Sequence, residues 1–202
     1  MTEPAGLMMA MMQPPPTMEE EFQDWYDTEH FPERRDCKGF VTAQRLLCLD
    51  GFPRYLALYD LENRAVLEGP GYGAIARSRY SQWTKRIVPR MWGHYRAEAD
   101  QIFPGRARLG ANGTPTRLAL WRFSGVDENA IQATVNGVRT SWAETPGVLQ
   151  LRVFQAKADQ TGDVIATIEL AGSMPLPAPR PDAFGPLLRH LNLANLYMPY
   201  WR

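Results

Sequence analysis

The chain has 202 residues and only two cysteines, Cys37 and Cys48, with no Cys-x-x-Cys pair. That is too few for a disulfide scaffold or a thiolate zinc site, and both read as buried free thiols. Net charge is also lacking: 22 basic side chains balance 22 acidic ones. An even balance without a basic run gives no electrostatic footprint for nucleic acid or for an anionic membrane. No apolar run approaches the ~18 residues that span a bilayer. The opening Gly6-Leu7-Met8-Met9-Ala10-Met11-Met12 is apolar, yet it follows Glu3, has no basic segment before it and runs into Pro14-Pro15-Pro16. It reads as a first strand rather than a signal peptide, and a cytoplasmic protein is expected.

Recognisable cofactor and nucleophile motifs are missing too. There is no Gly-x-Ser-x-Gly elbow. The one glycine-rich cluster, Gly69-Pro70-Gly71-Tyr72-Gly73, contains proline and lies in a helical region, not after a strand. No nucleotide cofactor is expected. Glu29, His30 and Glu33 offer metal-ligand types, but neighbours on a helix point about 100° apart and one histidine among carboxylates is no established zinc spacing. No metal is expected either.

What the chain does have is an ordinary globular composition, 45% hydrophobic and 22% charged, and a pattern that occurs twice. In the first half, Leu7–Met12 is a strand and a helix runs from about Met18 to His30. Gly39–Leu49 and Arg54–Leu61 form a hairpin around Asp50-Gly51. A second helix begins near Asn63, and Arg90–Phe103 alternates as a last strand. In the second half, Arg117–Phe123, a helix over about Glu128–Ala143, a hairpin of Gly147–Ala156 and Asp163–Leu170 around Gln160-Thr161-Gly162, a short helix Ala183–His190 and a strand Asn195–Trp201 repeat the order.

Both halves read β-α-β-β-α-β, the ferredoxin-like arrangement, with helices on one sheet face only. Two such sheets packed face to face would make an intramolecular α+β barrel whose interior lies between them. The division expected is 1–104, a Gly/Pro-rich linker at 105–115, and 116–202. Since one chain supplies both sheets, a homodimer would use an outer surface.

The stretch Asp24-Trp25-Tyr26-Asp27-Thr28-Glu29-His30-Phe31-Pro32-Glu33 concentrates the chemistry. Thr17 with Glu20 has capping-box spacing. From there Met18, Phe22, Trp25, Tyr26, Glu29, His30 and Glu33 recur at helical spacing on one face, until Pro32 stops the helix. The apolar members form a core stripe. The polar members place a titratable histidine beside carboxylates at the rim of an aromatic face.

His30 is the candidate general base, with Glu29 to orient it and raise its basicity, and Tyr26 to donate to a developing oxyanion. Trp25, Tyr55 and Tyr59 are candidate cavity liners. On the last strand of the first half, either Trp92, His94 and Arg96 or Met91, Tyr95 and Ala97 face the interior; the first trio is the candidate substrate-binding set. His190 reads as structural.

Phe22-x-x-Trp25-Tyr26-x-x-Glu29-His30-x-Pro32-Glu33, then Gly39-Phe40, then Pro53-Arg54-Tyr55-Leu56-Ala57-Leu58-Tyr59 and Trp83-Thr84, resemble the EthD-like branch of the dimeric α/β-barrel superfamily. The resemblance covers residues 5 to 103. It implies the barrel fold, and a superfamily that holds cofactor-free monooxygenases, polyketide cyclases, decarboxylases, isomerases and haem-degrading enzymes. Fold does not choose among these. The second half has Thr140-Ser141-Trp142-Ala143-Glu144-Thr145-Pro146-Gly147 at the matching place, keeping Glu-x-Pro-Gly without the histidine. One working site per chain follows.

The expectation is thus a cofactor-independent enzyme that moves a proton next to a carbonyl of a small hydrophobic, aromatic or polyketide-like compound. Lyase, decarboxylase, isomerase and cyclase chemistry all fit that step. A cofactor-free monooxygenase, or a non-catalytic small-molecule-binding accessory protein of aromatic catabolism, is the alternative.

Overall fold

The computed structural model describes residues 3–157, 162–174 and 178–200. Its eight strands are β1 (Gly6–Gln13), β2 (Phe40–Asp50), β3 (Tyr55–Leu61), β4 (Trp92–Phe103), β5 (Arg117–Phe123), β6 (Val148–Ala156), β7 (Val164–Leu170) and β8 (Leu191–Pro199). They close into one antiparallel barrel in the order β1-β3-β2-β8-β5-β7-β6-β4. Within each half the strands run fourth, first, third, second. The halves are joined at two seams, where β2 pairs with β8 and β4 with β6. The two sheets therefore do not merely face each other. They bond edge to edge, which leaves no open sheet edge.

Strand alternation decides what fills the barrel. Leu7, Met9 and Met11 of β1, Leu56 and Leu58 of β3, Ala97 and Ala99 of β4, and Leu118, Leu120, Phe154, Ile165 and Tyr197 from the second half meet inside. The interior is a packed core, where an open cavity between sheets was expected. Inward-facing Leu, Met and Phe side chains are large enough to meet across eight strands.

The opposite faces of the same strands carry two further apolar layers under helices. Met8, Met12, Tyr55, Ala57 and Tyr59 pack beneath the helices of the first half. Ala119, Trp121, Phe123, Val153 and Ile168 pack beneath those of the second.

In the first half, α1 (Glu19–Trp25) continues through a π-helical turn, Tyr26–His30, into α2 (Phe31–Arg35). Thr17 does not cap it: the N-cap is Met18, without a side-chain bond, and Thr17 sits in a preceding 3₁₀ turn. Beyond β3 the expected second helix is broken into short pieces. A 3₁₀ turn at Arg64–Glu68, α3 (Pro70–Gly73) and α4 (Gln82–Ile87) follow one another. Pro70, Gly71, Gly73 and Pro89 prevent one continuous helix.

In the second half, α5 (Ile131–Trp142) lies across the sheet and α6 (Pro181–Phe184) is a single turn. The last strand ends at Pro199, and Trp201 lies outside the described residues, as do Gln160 and Thr161 of the expected turn.

The segment 104–115 does more than cross between halves. Leu109 packs against the barrel interior. Its backbone N–H donates to Asp60 at 2.6 Å, and that of Gly110 donates to Glu169 at 2.9 Å. The fully buried Arg152 lies 2.6 Å from Asp60 and 3.3 Å from Glu169, joining β3 to β6 and β7. One barrel end is thus closed by a buried charge cluster and the segment above it. No helix among the described residues is long and apolar enough to cross a membrane.

Candidate active site

The π-helical turn is the local feature that builds the site. The Phe31 N–H reaches back five residues to the Tyr26 carbonyl, and Pro32 falls in the first turn of α2, where a missing N–H is tolerated. Pro32 therefore does not stop the helix. The run continues to Arg35 and brings Tyr26, His30 and Arg34 inward one turn apart. Single π-turns inside α-helices are frequent at functional sites.

These three side chains line a cavity of about 80 Å³ together with Met8, Ala10 and Met12 of β1, Tyr59 of β3, and His94 and Arg96 of β4. Tyr72, Tyr80 and Val88, from the broken helical segment, complete it. The cavity therefore lies between the outer face of the sheet and the helices. The barrel interior, where the sequence reading put it, is filled.

His30 is 7% exposed and its Nδ1 is buried without a hydrogen-bond partner. No carboxylate holds it. Burial, with the Arg34 and Arg45 guanidiniums, drives its pKa well below the ordinary histidine value of 6.5. The expected upward displacement by a partnering carboxylate is thereby reversed, and the imidazole is neutral at pH 7.

The Tyr59 hydroxyl is also buried without a well-formed hydrogen bond, although the Tyr26 hydroxyl interacts with it. Burial pushes both phenols above the usual tyrosine range, Tyr59 the further. Both remain protonated and can donate.

The arginines are fixed. Arg34 donates to the His30 carbonyl at 2.9 Å and to Glu33 at 3.2 Å. Arg96 is paired with Glu98 and donates to the Tyr72 hydroxyl at 3.1 Å. Arg45 stands behind Tyr26, its guanidinium 4.3 Å from the ring centre, held by Asp27 and Gln23. His94 lines the same cavity, and burial followed by Arg96 lowers its pKa.

Several expected site residues sit elsewhere. Glu29 does not touch His30: it accepts from Ser81 and, at 3.2 Å, from Thr84, because neighbouring helical residues point in different directions. Trp25 is core. Its ring centre lies 4.1 Å from that of His30, and its Nε1 donates to Thr84 at 2.9 Å. Tyr55 is turned to Glu19, outside the cavity. Trp92 is 56% exposed and lines nothing there; Gly93, with a φ of 55°, interrupts the alternation that would have placed it beside His94. His190 is held by the Ser124 carbonyl at 2.9 Å.

The sequence reading missed Arg34, Tyr72, Tyr80, Met8 and Met12. Arg34 was findable, one helical turn beyond His30. The tyrosines were not, because their placement depends on an irregular segment. Among the described residues no three His, Cys, Asp or Glu side chains gather as a metal site would require.

No family model matches the chain, and no curated protein matches it. Solved structures do match in fold. An anthrone oxidase-like protein superposes with a TM-score of 0.63 at 10% identity, covering 98% of this chain and 92% of that one. A mutant chlorite dismutase from Candidatus Nitrospira defluvii gives 0.55 at 10% identity, covering 99% and 93%. A protein from Lactobacillus acidophilus, provisionally named a monooxygenase, gives 0.54 at 8% identity, covering 98% and 94%. At such identities the likeness is one of fold, a closed α+β barrel.

Proposed function

We propose that this chain is a cofactor-independent enzyme that takes a proton from carbon next to the carbonyl of a small hydrophobic compound. One observation carries the reading: two buried polar atoms without good partners, His30 Nδ1 and Tyr59 Oη, belong to residues of one small cavity. Orphaned buried polar groups are uncommon and call for an explanation, and a ligand supplies one.

The chemistry follows from the protonation states. Neutral His30 accepts the proton. The C–H electron pair moves onto the carbonyl oxygen, and the protonated hydroxyls of Tyr26 and Tyr59 donate to the enolate as its charge develops. Arg34 and Arg96 add positive potential. Aromatic and methionine walls keep water away from the carbanion. Glu29 and Trp25 hold the helix and the ring without touching substrate. A cavity of about 80 Å³ takes one ring or less, so a longer molecule would need the Tyr72–Tyr80 cover to open. Lyase, decarboxylase, isomerase and cyclase outcomes share this step.

A second reading keeps the same base and the same carbanion. The carbanion gives its electron pair to dioxygen, and the hydroperoxide loses water to leave a ketone. The anthrone oxidase-like and monooxygenase-named fold neighbours favour it.

We further read the chain as a tandem of two ferredoxin-like units, 1–104 and 116–202 joined by 105–115, related to the EthD-like branch and with one working site. It would act in the cytoplasm, and any homodimer would form through an outer surface.

The test uses acetylacetone, phenylpyruvate and anthrone. Exchange of the acidic proton for deuterium is followed by NMR under nitrogen, and oxygen uptake is followed in air. Enzyme-dependent exchange that His30→Gln lowers by about 10²–10⁴-fold supports the proposal. Oxygen uptake in step with exchange selects the second reading. Exchange with none of the three, or exchange indifferent to His30→Gln, overturns both.

A further inference from the structure

Arg34 lines the His30 cavity and is only 3% exposed. A guanidinium buried so deeply is expected to have its donors engaged. Arg34 engages one nitrogen. Its Nη1 donates to the His30 carbonyl at 2.9 Å and to Glu33 at 3.2 Å. Nε and Nη2 have no acceptor among the described residues. Unlike His30 Nδ1 and the Tyr59 hydroxyl, they are not sealed from solvent.

The neighbouring arginines are committed. Arg96 gives Nη1 to Glu98 and Nη2 to the Tyr72 hydroxyl at 3.1 Å. Arg45 gives Nη1 to Asp27 and Nη2 to Gln23 at 2.6 Å, and it does not line the cavity. Of the three, Arg34 alone keeps a whole edge open.

That edge has a shape. Nε and Nη2 lie side by side in the guanidinium plane and form the fork that takes both oxygens of a carboxylate. No Asp or Glu lines the cavity to fill it. Glu33 sits at Nη1 instead, and its side chain is 33% exposed, so water screens its charge. The Arg34 charge also reaches the proton-handling groups. His30, Tyr26 and Tyr59 are each shifted first by burial, and Arg34 pulls all three pKa values down. The open edge and the base therefore belong to one site.

We propose that the substrate is a short keto acid, its carboxylate held by the Nε–Nη2 edge of Arg34 and its carbonyl turned to Tyr26 and Tyr59. The place of the carbonyl rests on the reading of His30 as base; the carboxylate contact does not. A neutral ketone leaves the buried edge uncompensated. A phosphate, with more charge and more oxygens, needs further donors that Arg96 has already committed. The volume of about 80 Å³, walled by Met8 and Met12, suits a short carbon chain.

The test compares acetoacetate with acetylacetone. The two are isosteric, one carrying a carboxylate where the other carries an acetyl group, and only acetoacetate is an anion at pH 7. Binding of each to the full chain is measured by calorimetry. Labelling with ¹⁵N-histidine reports the place, since His30 lines the cavity and His190 lies in the second half against the Ser124 carbonyl. Acetoacetate should bind about ten- to hundredfold tighter, compete with acetylacetone, and move the His30 ring resonances without moving those of His190. Arg34→Gln should bring the two affinities together. Arg34→Lys, which keeps the charge and loses the fork, should restore part of the difference. Equal binding of the two compounds, a preference that survives Arg34→Gln, or unmoved His30 resonances would overturn the proposal. The wild-type comparison needs no variant, so it decides whether or not Arg34→Gln folds. Absence of proton exchange with the preference intact ends the His30 reading alone, and exchange with equal affinities ends this one alone.

Discussion

The His30 imidazole leans on the Trp25 indole, ring centres 4.1 Å apart and planes tilted by 38°. The indole is itself tied through Nε1 to Thr84, and Thr84 to Glu29. The ring that would move the proton is therefore backed by a side chain anchored in a different helix. Anchoring of this kind fixes a base in one orientation before substrate arrives.

Thr84 should matter out of proportion to its size. Thr84→Val keeps the shape but removes the acceptor for Trp25 and a donor to Glu29. Leaving buried polar groups unsatisfied costs about 1–3 kcal/mol. Urea unfolding should show that loss, whereas Ser78→Ala, at an exposed position, should leave the midpoint within error. An unchanged midpoint in Thr84→Val would remove Trp25 and Glu29 from the support of the site.

The pH dependence of stability has a definite sign. The folded-state pKa of His30 is depressed below 6.5, mainly by burial, so the unfolded chain takes up the proton first as pH falls. The contribution of neutral His30 is fully present above about pH 6.5 and is lost on acidification through the folded pKa. Denaturant midpoints should fall as pH drops below 6.5, and His30→Phe should flatten that limb. A limb of equal size in His30→Phe would assign it to another group.

Arg152 tests the closed end of the barrel. Truncation to Ala leaves Asp60 and Glu169 buried without their cation, a loss of about 3–5 kcal/mol. Burial already raises the Glu169 pKa against the pull of Arg152, so the loss should grow as pH rises and Glu169 ionises. Unfolding at pH 5 and pH 8 would reveal the difference. A loss independent of pH would argue against charge as its cause.

Gly137 opposes two rules. Replacing glycine by alanine inside a helix gains up to about 1 kcal/mol. A Cβ here would sit 2.5 Å from a Phe184 ring carbon and 3.1 Å from the Ala183 carbonyl oxygen. Displacing a buried ring costs about 1–3 kcal/mol. Gly137→Ala should therefore destabilise, and a raised melting temperature would mean that α6 yields freely.

Much of the fold was legible in the sequence, because β1, β3, β5 and β7 are short, largely apolar runs of strand length and Gly39 and Gly147 mark the same turn in both halves. Alternation says which residues share a face but not which face looks inward. The Tyr55-Ala57-Tyr59 face turned out to lie under helices, and Leu56 and Leu58 fill the barrel. The chemistry of His30 was half legible. Its place on a buried face follows from spacing. Its depressed basicity comes first from burial, then from Arg34 one turn along the helix and from Arg45 on β2, and neither the burial nor Arg45 is displayed by any local pattern. The π-turn that carries the helix past Pro32 has no sequence signal that we recognise, and it brings Arg34 into the cavity.

The most direct measurement is the rate of proton exchange against pH, in wild type and His30→Gln, with whichever probe exchanges. The account predicts a rise to a plateau with its midpoint below 6.5, since the base is neutral His30, and no such limb in His30→Gln. A midpoint at or above 6.5, or a limb that survives the substitution, would contradict it.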